Sequence, residues 1–188
     1  MAKIGLNNFR YGLLSEASDG TPTYAGAVKP GKAVSCTVDI TSNNASLYAD
    51  DALAESDTSF QSGTVAMGID DDDITTQAAL LGHTVAADAE GGMTRNVNDV
   101  APYVGLGRIV VKMVNGTYKY KVEFLYKVKF SEPSQENNTK GESVEFGTTT
   151  MNGVVSALKN GKWSFTAVYD TQAAAEAKLV SLLGGTSL

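Results

Sequence analysis

From Tyr118 to Phe130 apolar and polar residues alternate with a period of two. Tyr118, Tyr120, Val122, Phe124, Tyr126, Val128 and Phe130 form one set; Lys119, Lys121, Glu123, Leu125, Lys127 and Lys129 form the other. Successive side chains of a strand point to opposite faces, so this run predicts a strand with one buried and one wet face. Asn115-Gly116 comes just before it, and both residues tolerate the positive φ of a type I′ turn. A turn of that length dictates the pairing. Met113 falls opposite Tyr118, Val111 opposite Tyr120, Ile109 opposite Val122 and Gly107 opposite Phe124, all on the apolar face. On the other face Arg108 meets Glu123, an attractive pair, and Lys112 meets Lys119, a repulsive one. Leu106–Phe130 is therefore predicted as a continuous antiparallel hairpin.

The same reading predicts a second hairpin turning at Asn160-Gly161, with Leu158 opposite Trp163 and Ser156 opposite Phe165. Trp163, Phe165, Ala167 and Tyr169 would share a face. Val34, Cys36, Val38 and Ile40 alternate with polar residues, as do Val65, Met67 and Ile69, giving two more half-buried strands. Weaker strand patterns cover Arg10–Leu14 and Ser143–Met151. Two helices are expected. Asp73 can cap one over Ile74–Leu81, with Gly82 at its C-terminal end. Thr171 can cap another over Gln172–Leu183, stopped by Gly184-Gly185, with Ala175, Leu179, Leu182 and Leu183 as its apolar stripe. Asn43–Phe60 and Ser131–Glu142 carry no core signal and are expected to be long loops; long loops in a compact domain are usually functional.

Composition sharpens the picture. The chain has 188 residues and 43% hydrophobic residues, enough for one domain that buries roughly 70% of its unfolded surface. The formal charge is −6, which disfavours tight binding to nucleic acid, because phosphate neutralisation needs cations. One cysteine, Cys36, excludes an intrachain disulfide framework. No apolar run at the start suits a signal peptide, and none reaches the ~20 residues of a membrane span. Charged residues make up only 19%, a hint that surface is hidden against other copies of the chain.

Candidate chemistry is sparse. Asp70-Asp71-Asp72-Asp73 lacks the interleaved spacing of a calcium loop and suits a strand-to-helix corner capped by Asp73. Asp50, Asp51, Glu55 and Asp57 have no partner base, so a solvated or subunit-contacting loop explains them better than acid–base catalysis. His83 is the only histidine and Cys36 lies on an apolar strand face; a dyad between them is open but disfavoured. Gly105-Leu106-Gly107 lacks the third glycine of a dinucleotide fingerprint. The lysine row Lys119, Lys121, Lys127 and Lys129, with Lys112 beside it, reads either as a solvated face or, slightly favoured, as a surface complementary to an acidic neighbour. Interleaved aromatics would lie on the opposite face. No catalytic, cofactor or metal residue is assigned.

Several segments carry a family resemblance. Tyr118-Lys-Tyr-Lys-Val-Glu-Phe-Leu-Tyr-Lys-Val-Lys-Phe-Ser-Glu-Pro-Ser-Gln-Glu-Asn-Asn-Thr-Lys-Gly-Glu142 and its continuation to Gly153 closely resemble the major tail proteins of long-tailed phages and prophages of Gram-positive bacteria. Ile4-Gly-Leu-Asn-Asn-Phe-Arg-Tyr-Gly12, Leu47-Tyr-Ala-Asp-Asp-Ala-Leu-Ala-Glu55, Pro102-Tyr-Val-Gly-Leu-Gly107 and Asn160-Gly-Lys-Trp163 are similar to theirs, in the same order. Thr149 departs from the family, which would have proline there. The resemblance implies a mainly β fold, a β-sandwich or partly closed barrel of two packed antiparallel sheets with a flanking helix, over 1–188. It implies a non-enzymatic tail-tube subunit whose hexameric rings stack into a conduit for DNA in the virion, assembled in the host cytoplasm. Partners would be further copies, the tape measure protein, the tail terminator and distal tail proteins, with DNA passing unbound and no membrane. Subunit contacts are expected from the arm 1–9 and the loops 43–60 and 131–142, at Leu47, Tyr48, Asp50, Asp51, Glu55, Glu132, Pro133, Glu136 and Lys140. Asp39 and Glu145 are expected to face the lumen. The competing readings are a β-sandwich ligand-binding module, a virion accessory module and an enzyme built on Cys36 and His83.

Overall fold

The computed structural model describes residues 2–49, 52–70, 73–86, 91–134 and 148–185. In chain order the elements begin with β1 (Ala2–Glu16), β2 (Pro22–Val28), β3 (Ala33–Ser42), β4 (Ala45–Ala49), β5 (Ala52–Asp57) and β6 (Phe60–Ile69). Then come α1 (Ile74–Leu81), β7 (Thr84–Val85), β8 (Met93–Thr94), β9 (Tyr103–Val114), β10 (Thr117–Phe130), β11 (Thr149–Val155), β12 (Ser164–Tyr169) and α2 (Gln172–Leu182). The fold is mainly β and antiparallel, sandwich-like, and not a closed barrel.

β9 and β10 form the predicted hairpin in the predicted register, including Arg108 opposite Glu123 and Lys112 opposite Lys119. Asn115 (φ 49°) and Gly116 (φ 78°) supply the left-handed turn. The single wet face is not found, because the register shifts between Leu125 and Val128. A bulge there moves every later side chain to the other face. Before it, Val122 and Phe124 pack with Ile109 beneath Ala175, Leu179 and Leu183 of the α2 segment. After it, Val128 and Phe130 join Leu125, Val104 and Leu106 in a second core with Phe9, Met67 and Met151. The lysine row is split accordingly, and both faces of the strand are covered.

β10 has a second consequence. One of its edges pairs with β9, and the other carries two strands end to end: β12 along Tyr120–Leu125 and β11 along Val128–Phe130. The sheet thus branches, running β2-β1-β9-β10-β11-β6-β3 with β12 beside β10. The predicted β11–β12 hairpin is therefore wrong in partner. Asn160-Gly161 does turn the chain, with Gly161 at φ 82° and Leu158 donating to the Lys162 carbonyl at 2.8 Å, but both strands pair with β10 instead. Trp163 leaves the face of Phe165 and Tyr169 and stacks on Phe60 at 4.6 Å in the other core.

Both helices follow their capping signals. The Asp73 carboxylate accepts from the Thr76 amide at 2.8 Å, and Gly82 ends α1 in the left-handed region at φ 79°. Thr171 caps α2, whose Ala175 and Leu179 are buried. Gly107 lets Leu179 approach: a Cβ there would sit 2.1 Å from its methyl group. On β3, Cys36 and Val38 pack on the core, while a register shift after Ala33 leaves Val34 exposed.

Three segments differ from expectation. Residues 2–9, expected as an arm, belong to β1, which pairs with β9 from Ala2–Met113 to Leu13–Val104 and absorbs two register shifts, one around Asn8 at φ 56°. β2, not foreseen, pairs with β1. Within 43–60, β4 and β5 form a separate hairpin. Of the weak strand Ser143–Met151, residues 143–147 lie outside the described residues, and Thr149 opens β11 opposite Ile69.

The bulge needs its polar backbone groups satisfied. The Tyr24 hydroxyl donates to the Tyr126 carbonyl at 2.8 Å, the Tyr126 amide donates to the Trp163 carbonyl at 3.1 Å, and the Ser156 amide donates to the Lys127 carbonyl at 2.9 Å. Tyr24→Phe leaves one of these carbonyls unpaired, so it should lower stability by about 1–3 kcal/mol. Urea unfolding of the two proteins side by side checks this, and an unchanged midpoint would remove Tyr24 from the bulge.

Candidate assembly surface

The β4–β5 hairpin pairs with no strand of the main sheet. Its root is tied down: the Asn43 amide donates to the Ser59 carbonyl at 2.8 Å and the Ser59 amide to the Asp57 carboxylate at 2.9 Å. Beyond that root Leu47 is 61% and Tyr48 69% exposed, and Glu55 is exposed beside them. A two-stranded hairpin is marginally stable alone in water, so an apolar projection of this kind gains from a partner. Asp50 and Asp51 lie outside the described residues. The signal that could have revealed the hairpin is Leu47-Tyr48 and Leu53 flanking two turn-prone aspartates.

Three described strands of the main sheet have an open edge: β2 pairs only with β1, β3 only with β6, and β12 only with β10. An edge strand presents unpaired N–H and C=O groups, which proteins usually guard with lysine, proline or bulges. β12 (Ser-Phe-Thr-Ala-Val-Tyr) has neither charge nor proline, and Val168 on it is 55% exposed. β3 has one charge, Asp39, which is exposed, with Ile40 also exposed beside it. Sequence reading missed β12 as an edge because it gave the strand the wrong partner.

Between these elements lies a cleft of about 160 Å³, lined among others by Val38, Ile40, Trp163 and Phe165, with Arg108 and Glu123 in its wall. Arg108 donates to Glu123 at 2.8 Å and to the Cys36 sulfur at 2.6 Å, and Lys121 also contacts Glu123. Burial pushes the Glu123 carboxyl up, but Lys121 and Arg108 outweigh that and hold it below its ordinary value. Burial raises the Cys36 thiol against the opposing pull of Arg108, the reverse of the lowering that activates a cysteine nucleophile. His83 meets Asp99 and Glu132 instead of Cys36. The two halves of the supposed dyad have separate partners.

Glu132, expected at a subunit contact, is bound within its own chain by His83 and Arg95. Pro133 is half-buried beside it. Glu136, Lys140 and Glu145 lie outside the described residues, as do Asp71 and Asp72. Asp70 accepts from the Lys32 amide at 2.7 Å, as a corner residue would. Three lysines of the row have carboxylate partners in their own chain: Lys119 pairs with Asp170, Lys121 with Glu123 and Lys127 with Glu16. Lys127 and Lys129 also lie over the Tyr103 ring, at 4.7 and 5.4 Å, an aromatic contact the alternation alone did not foresee. Among the described residues no three His, Cys, Asp or Glu side chains are grouped to hold a metal. No described helix is long and apolar enough to cross a membrane. No protein-family model and no curated protein matches the chain.

Arg108 and Glu123 are each only 16% exposed. Removing Arg108 leaves Glu123 with Lys121 as its remaining cation and loses a charge-assisted hydrogen bond, so Arg108→Ala should cost about 2–3 kcal/mol. The combined change Arg108→Met, Glu123→Leu and Lys121→Met, which removes all three charges, should recover most of it. Denaturant midpoints of the single and triple variants check this; a triple variant as weak as the single one would show that packing, not charge, was lost.

Proposed function

We propose that the chain is a structural subunit of a tail tube of the long-tailed phage type, forming hexameric rings that stack into a hollow conduit for DNA. The observation that carries this reading is the pair of unguarded edges, β3 and β12, together with a tethered hairpin ending in exposed Leu47 and Tyr48. Edge-to-edge pairing between copies would satisfy the open backbone groups, and the hairpin would bury Leu47 and Tyr48 on a neighbour. The segment resemblances given above point the same way. On this reading the protein turns over no substrate, resides in the virion tail, and meets the tape measure, tail terminator and distal tail proteins at the ends of the tube. Asp39, exposed on β3, is a candidate for the lumen.

The charge pattern suits a passive conduit. The chain carries −6 overall, and Lys119, Lys121 and Lys127 are each paired with a carboxylate of the same chain. Each such pairing leaves one cation fewer to neutralise phosphates and release counterions. A ligand-binding module is the second reading, favoured by the cleft between Val38, Trp163 and Phe165.

Negative-stain microscopy of the purified protein tests the assembly reading. Tubes or six-fold rings are expected. Leu47→Asp combined with Tyr48→Asp should keep the circular dichroism of the subunit and abolish the tubes. Uniform small particles from the unaltered protein would favour the ligand-binding module. Gel shifts at low salt address the conduit: neither tubes nor free subunits should retain duplex DNA, and micromolar, salt-sensitive retention would contradict passive transport.

A further inference from the structure

His83 stands just beyond the C-terminal end of α1, its side chain only 5% exposed. Its Nδ1 lies 2.8 Å from an Asp99 carboxylate oxygen, and its Nε2 contacts Glu132. Neutral imidazole has one N–H donor and one acceptor, whereas ionised carboxylates only accept. Both contacts are therefore satisfied together only by imidazolium. We propose that His83 is a protonation-dependent latch that ties residues 131–134 to the turn 95–100.

The surroundings define which contact opens. The 95–100 segment contributes Asp99 and Arg95, and the 131–134 segment contributes Glu132. α1 (Ile-Thr-Thr-Gln-Ala-Ala-Leu-Leu) contributes no charged side chain, only its carbonyl end, which favours a cation; the His83 amide donates to the Ala78 carbonyl at 3.0 Å. Asp99 is held on the other side as well, accepting from the Asn96 amide at 2.8 Å. Glu132 is 53% exposed and has Arg95 at a longer 3.6 Å. When the proton leaves, Asp99 keeps the remaining N–H and Glu132 lets go. The hydrogen bond to Asp99 is the main influence raising the His83 pKa, opposed by burial and reinforced by Glu132. The latch is therefore closed below about pH 6.5 and opens as pH rises through the higher folded-state value. It is a property of the single subunit, independent of any assembly.

The chain has one histidine, so its ring signals are unambiguous. Nitrogen-15 NMR of the full-length free subunit should show both ring nitrogens protonated at pH 6.5 and a midpoint above about 6.5. Glu132→Ala, at an exposed position, should lower that midpoint by about half a unit or more. Hydrogen-exchange protection of the Glu132 and Ser134 amides should fall across the same titration and be low and pH-independent in the variant, while Ser131, whose amide donates to the Asn152 carbonyl at 2.9 Å, serves as the internal reference. A midpoint at or below 6.5, a midpoint unmoved by the variant, or constant protection across the titration would each overturn the latch.

Discussion

The register shift between Leu125 and Val128 is the constraint from which the rest of the architecture follows. A strand of this length with strict alternation would bury one face only. One extra residue in the ladder turns Val128 and Phe130 toward the core of Phe9, Met67 and Met151, while Val122 and Phe124 stay beneath α2. One strand thereby serves two cores. The same point marks the change of partner from β12 to β11, so the branching of the sheet and the switch of face are one event.

That arrangement creates a polar problem at the seam. On the stretch before the bulge, the positions opposite α2 face inward toward β3, and they include Arg108, Lys121 and Glu123. Charges so little exposed are tolerated because each has a partner: Glu123 lies between Arg108 and Lys121, and Arg108 also reaches the Cys36 sulfur. Such a network contributes less to net stability than its short distances suggest, since desolvation offsets much of the attraction. Its effect is to set which strands meet there, and it leaves a cleft instead of a filled core.

The sheet also stops short of closing. β3 contacts β1 without a ladder between them, and β12 ends the other branch with one edge unpaired. Backbone groups on these edges have no ladder partner among the described strands, and the strands carry little of the charge that normally discourages pairing. Together with the exposed Leu47 and Tyr48 of β4, they concentrate the unmet interactions of the fold at its margins, whereas the His83 cluster and the lysine pairs are satisfied internally.

Local signals in the sequence were sufficient for the β9–β10 hairpin and for both helices, though not for the neighbouring pairs β1–β2, β4–β5 and β7–β8. Asn115-Gly116 and the flanking alternation determined the β9–β10 register, and Asp73, Gly82 and Thr171 determined the helix ends, because turns and caps are decided by the few residues that form them. Tertiary structure decided what long-range packing controls. The alternation from Tyr118 to Phe130 runs unbroken through the bulge, so nothing in it signals that the face changes. The Asn160-Gly161 turn was legible, yet the strands on either side of it pair with β10 and not with each other. Residues 2–9 read as an arm because their two register shifts blur the period-two pattern, and only β9 alongside makes them a strand. The candidate site divided in the same way: Leu47, Tyr48 and Glu55 were expected at subunit contacts from their place in a long loop, but the open edge of β12 and the pairing of His83 with Glu132, 49 residues away, exist only once distant segments meet.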